Sequence, residues 1–143
     1  MQHQPGRYFL LVETDKEITN SVFYFLREIK KSVFIEPTKD ILEKYIVNEK
    51  EVVVIKSLIS EAPTQNINEV ETATIEKMLV DIFCDDVIFS AQQGTEKRII
   101  FKEAFTKYTI NQSKMLRYAD RRRKKEQLIQ FIKEIQIYGS NNE

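Results

Sequence analysis

Four aliphatic β-branched residues stand in a row at Val52-Val53-Val54-Ile55, closed off by Glu51 and Lys56. A strand with one wet face alternates apolar and polar residues, so an unbroken run of this kind predicts burial on both faces, at the centre of a sheet covered by helices. The residues before it supply the rest of such a unit. After a break at Pro5-Gly6, Arg7-Tyr8-Phe9-Leu10-Leu11-Val12 reads as a first strand, and Val33-Phe34-Ile35, ended by Pro37, as a short second one. Between them Thr14 and Glu17 have the spacing of a capping box, and Ile18, Val22, Phe25, Leu26 and Ile29 recur at helical intervals, which predicts a helix to about Lys30. Thr38 is placed to cap a second helix carrying Ile41, Leu42, Tyr45 and Ile46. Strand, helix and strand in so few residues make a βαβ unit with a parallel pair.

Beyond the central strand the chain changes character. Residues 57–68 read as a connection around Glu61-Ala62-Pro63, with a short edge strand near Val70. Helices follow over 74–85 (Ile75, Met78, Leu79, Ile82 and Phe83 on one side) and 97–108 (Ile100, Phe101, Ala104, Phe105 and Tyr108). Gly94, after Gln92-Gln93, reads as the turn between them. Asn111 caps a helix to about Arg121, and 126–137 gives a last one with Leu128, Ile132 and Ile135, before a disordered tail at 139–143. The expected class is α/β: a βαβ-containing mixed sheet with a helical C-terminal subdomain packed against it. Residues 1–143 are read as one domain, with an α/β part at 7–70 and a helical part at 73–138.

Composition narrows what such a chain does. Hydrophobic residues make up 42% and charged residues 31%, the balance of a chain that folds rather than stays disordered. Lys plus Arg and Asp plus Glu both number 22, so no global field draws the molecule to nucleic acid or an anionic membrane. With one cysteine, Cys84, in an apolar run, and one histidine, His3, in a polar N-terminal stretch, neither a disulfide, a zinc site nor a Cys–His nucleophile is expected. Gly6, Gly94 and Gly139 are isolated, which excludes a Gly-rich phosphate loop, so no cofactor is expected. The apolar runs are too short for a bilayer and the first residues lack a signal-peptide pattern, giving a cytoplasmic expectation with no membrane partner.

Three constellations remain. Metal-dependent nucleases gather carboxylates and a lysine at neighbouring strand ends; here Glu51 and Lys56 sit at opposite ends of one strand and Glu13 ends another, leaving a degenerate nuclease-like scaffold as a minor alternative. Asp81, in an apolar helix, is either a polar-face residue or a buried group tied to a partner. The local charge excess is Arg117, Arg121, Arg122, Arg123, Lys124 and Lys125, with Tyr118 beside it. Such a run serves either as helix-end cations or as a patch for nucleic acid or an acidic protein, where Tyr118 would stack.

Several segments carry a resemblance. Residues 4–9 (QPGRYF), 58–63 (LISEAP), 74–81 (TIEKMLVD) and 108–119 (YTINQSKMLRYA) are similar to a bacterial family of uncharacterised domains over nearly the whole chain. That family resembles the C-terminal domain of AbiEi-type antitoxins of type IV toxin–antitoxin and abortive-infection systems, through the Glu76–Asp81 helix and the order of elements. The resemblance implies a non-enzymatic antitoxin or regulator acting with a nucleotidyltransferase-like toxin. Full-length relatives carry an N-terminal winged helix that reads DNA, and the residues before Arg7 do not supply one. DNA contact would then fall to a winged helix outside this sequence or to the basic run. The resemblance brings no catalytic residues with it.

Overall fold

A computed structural model describes residues 9–30, 32–45, 51–89 and 92–141, with side chains as far as 136. Pro5-Gly6, Arg7, Tyr8 and Ile46, each part of a predicted element or break, lie outside them. The chain forms two compact units, Met1–Leu58 and Ile59–Glu143.

In the first unit β1 (Phe9–Thr14), β2 (Val33–Ile35) and β3 (Val52–Ser57) form a parallel sheet in the order β1-β3-β2. The apolar run is the central strand, as its pattern requires. Val53 and Ile55 pack with Val33, Val12 and Ile35 under α1 (Thr19–Ile29), while Val52 and Val54, pointing to the opposite face, are equally buried. The register sets Phe9 beside Val52 and Thr14 beside Ser57. The first two strands are therefore parallel without touching, because β3 lies between them. Thr38 caps α2 (Lys39–Tyr45) by accepting a bond from the Ile41 amide at 3.3 Å, and Leu42 is its buried residue.

The expected capping box does not form. Thr14 is the last residue of β1, a 3₁₀ turn follows at Lys16–Ile18, and α1 begins only at Thr19. The helix buries Val22, Phe23 and Leu26 against the sheet and leaves Ile18, Phe25 and Ile29 outside, so the face drawn from the sequence is rotated toward solvent. Starting the helix a turn later removes the cap that spacing alone suggests.

The second unit opens with an antiparallel hairpin, β4 (Thr64–Ile67) and β5 (Val70–Ala73), joined by Asn68 and Glu69, both at positive φ (52° and 67°). Two such residues make the mirror-image turn that matches strand twist. The fold is α/β, as expected, with its parallel and antiparallel strands in two separate sheets and the boundary between units after Leu58. Among the described residues four α-helices follow: α3 (Ile75–Cys84), α4 (Thr95–Lys107), α5 (Gln112–Arg121) and α6 (Lys125–Asn141). Gly94, at φ 71°, forms the N-terminal boundary of α4. The α6 helix continues past Gly139 to Asn141, where a disordered tail was expected; a helix already nucleated extends through a lone glycine at modest cost. The core gathers Leu79, Val80, Phe101, Met115, Tyr118, Ala119, Leu128, Ile132 and Ile135, so the inward residues expected of the last helix are the ones that bury.

Candidate functional site

The helical unit is built around a polar cluster. On α3, Lys77 and Asp81 are one turn apart and both buried, Lys77 at 1% exposure. The Lys77 ammonium donates to Asp81 Oδ2 at 2.5 Å. From α5, the Tyr118 hydroxyl donates to Asp81 Oδ1 at 2.6 Å, and Arg122 Nη1 reaches the same oxygen at 2.6 Å. Arg122 also donates to the Tyr118 hydroxyl at 3.2 Å, and both cations approach the Tyr118 ring within 6 Å of its centroid (5.9 and 5.8 Å). A second bond joins the same helices: Glu76 Oε2 accepts the Asn111 backbone amide at 2.8 Å, just where Asn111 caps α5 through Lys114.

Isolated charges are costly in a protein interior, and these persist because each finds a partner. Among the described residues no buried side-chain polar atom lacks a hydrogen bond. Burial and the adjacent Asp81 carboxylate push the Tyr118 hydroxyl above its ordinary 10.0. Burial opposes the charge of Arg122, yet the Tyr118 hydroxyl and Asp81 outweigh it and hold the guanidinium above its ordinary value. Burial likewise raises the Cys84 thiol above 9.0, against the pull of Arg122, so Cys84 stays protonated at neutral pH and is a weak nucleophile. The geometry suits a structural clasp: its donors and acceptors face each other.

The basic run divides. Tyr118 is wholly buried and offers no face for stacking; Arg122 belongs to the clasp. Arg121 bonds Ser60 Oγ through Nε (3.0 Å) and Nη2 (2.5 Å) and approaches Glu61 at 3.6 Å, tying α5 to the loop before β4. Arg123 sits at φ 60°, and the Lys124 and Arg123 amides bond back to Ala119 and Asp120 carbonyls. This is a Schellman ending, with Arg123 where glycine is common. Arg117, Arg123 and Lys124 are exposed and Lys125 half-buried, which leaves a smaller basic surface than the sequence suggested. Glu13 registers directly beside Lys56 on the neighbouring strand, and among the described residues no three His, Cys, Asp or Glu side chains gather as a metal site.

Sequence reasoning weighed Asp81 and capped α5 at Asn111 but passed over Lys77 and Glu76. The signal was present in the spacing of Lys77 to Asp81 and of Tyr118 to Arg122, four residues each, the separation at which helical side chains meet. It also passed over a groove of about 220 Å³ between α3 and α4, lined by Ile75, Met78, Leu79, Ile82, Ala104 and Tyr108, with the Lys107–Glu103 pair at its rim. Met78 and Tyr108, both expected in the core, are exposed beside it. Among the described residues no helix is long and apolar enough to cross a membrane.

One family model, described as a family of unknown function (DUF6577), matches residues 1–138. No curated protein and no solved structure matches the chain.

Proposed function

Because the chain belongs to the DUF6577 family over nearly its whole length, we propose from its own residues that it is a non-enzymatic regulatory protein of the antitoxin type, acting by docking on a nucleotidyltransferase-like toxin. The observation that carries the reading is the α3–α4 groove. It is apolar at its base, rimmed by Met78 and Tyr108, and open to a partner's side chains, as docking surfaces are. The buried acids and bases that a catalytic reading would need are committed to one another in the clasp. The resemblance of the Glu76–Asp81 helix to antitoxin C-terminal domains supports the choice of partner.

Coexpression tests it. This chain, together with any winged helix encoded next to it, is expected to relieve the toxicity of an adjacently encoded nucleotidyltransferase-like protein. Met78→Asp and Tyr108→Asp should weaken that relief at least tenfold while leaving helix content intact. Relief absent in the native chain sinks the reading.

The exposed basic residues favour a second reading, contact with nucleic acid or an acidic protein. Arg117→Glu, Arg123→Glu and Lys124→Glu test it cleanly; Arg122 does not, since its removal opens the core. Binding to DNA or RNA that survives all three excludes the patch.

A further inference from the structure

Helix α1 presents two apolar stripes, and its own fold uses one. Val22, Phe23 and Leu26 enter the core beneath it, mostly over β2 and β3. Phe25 and Ile29 stand on its flank, 63% and 62% exposed, and Ile18, at the end of the 3₁₀ turn that leads into the helix, is 48% exposed. Val22, half-buried, sits where this stripe borders the core stripe, and with it the three are spaced four, three and four residues apart, the spacing of a two-helix seam that Ile18 enters from the 3₁₀ turn. Leu10, 63% exposed, continues the surface onto β1. Strand alternation puts it on the same sheet face as Val12, which packs under α1, and it shares a hollow of about 360 Å³ with Lys30 at the end of that helix.

We infer that this face is the interface of a homodimer, in which α1 lies antiparallel on the α1 of a second copy of this chain. The argument is self-complementarity. About a point midway between Val22 and Phe25, Ile18 exchanges with Ile29, Val22 with Phe25, and Glu17 with Lys30. A two-fold axis there sets large apolar residues against each other, a smaller side chain against the phenyl ring, and acid against base at both ends. A parallel pair would instead place Lys30 beside Lys30 and ring upon ring. The four exposed side chains offer on the order of 100 Å² each. That is roughly half of the ~800 Å² per partner in a standard interface, with the polar flanks of the helix to add the rest.

Sedimentation and light scattering of the full chain across about 1–100 μM, a range that brackets such affinities, should show a rise from 17.0 kDa toward twice that mass. Phe25→Glu should hold it at the monomer mass with unchanged circular dichroism, since the residue is exposed. Direction is read by cross-linking in a Cys84→Ala background. Mixing an Ile18→Cys chain with an Ile29→Cys chain should yield a disulfide-linked pair, and neither chain alone should. A monomer at every concentration gives the face to another occupant and overturns the inference, as does a dimer that survives Phe25→Glu or cross-links Ile18→Cys to itself.

Discussion

Asp81 receives a lysine, a tyrosine and an arginine within 2.6 Å, in largely buried surroundings that only Arg122 opens toward solvent. The favourable part of such a cluster is offset by the desolvation of each ion, so the cluster as a whole adds little net stability. Breaking it is another matter. Asp81→Asn keeps the shape but removes the charge that holds Lys77, which is 1% exposed and has nowhere to hydrate. We expect a loss of about 3–5 kcal/mol, a large part of the ~5–15 kcal/mol that stabilises a typical domain. Urea denaturation measures it. The double variant Lys77→Met with Asp81→Leu should recover the share of that loss owed to the stranded lysine, while Tyr118 and Arg122 still lose their acceptor; a double variant as unstable as Asp81→Asn would show that Lys77 is not the source of the loss.

At the scale of elements, Thr74 has two duties. Its hydroxyl accepts the Lys77 amide at 3.3 Å, capping α3, and donates to the Pro63 carbonyl at 2.8 Å, anchoring the chain entering the hairpin. Thr74→Ala should therefore cost about 1–2 kcal/mol, at the upper end for a cap, and Thr74→Ser should restore it; equal destabilisation by both would locate the effect in the methyl group. Such caps are what the sequence displays well. Thr38 and Asn111 stand where the structure uses them, because a cap is a local bond between neighbours. The run at Val52 announced its place at the sheet centre for a similar reason: only one environment hides both faces of a strand. The hairpin gave half such notice, in the edge strand expected near Val70. Thr64–Ile67 is exposed throughout and polar except for Ile67, and its turn uses Asn68-Glu69, where glycine would be the usual second residue. The clasp was half visible. The pairs within α3 and α5 follow from spacing, but the meeting of the two helices, 37 residues apart at Asp81 and Tyr118, is a tertiary fact that no periodicity encodes. The same holds for α1, whose two stripes look alike in sequence and are sorted only by the position of the sheet.

For the molecule as a whole, the two units hold separate cores, and among the described residues Tyr118, Arg122 and Cys84, whose proton affinities are displaced, lie in the second. Tyr118 and Cys84 both bind their protons more tightly folded than unfolded, above 10.0 and 9.0 respectively. Below those values both states keep the proton, so neither group makes stability depend on pH. Above them the unfolded chain releases a proton that the folded chain retains, and stability falls as pH rises. Tyr118 alone contributes a slope of about 1.4 kcal/mol per pH unit once pH exceeds its unfolded value. Urea midpoints should hold level from neutrality to about pH 9 and decline beyond it. Tyr118→Phe, which loses a bond to a charged acceptor, should be less stable by about 1.5–3 kcal/mol at pH 7. It should also lack the tyrosine's share of the slope, so that the two curves converge between pH 10 and pH 12. Parallel curves would show that Tyr118 ionises as readily inside the fold as outside, which the clasp geometry forbids. The helical signal should report this change, since the titrating groups belong to α3 and α5.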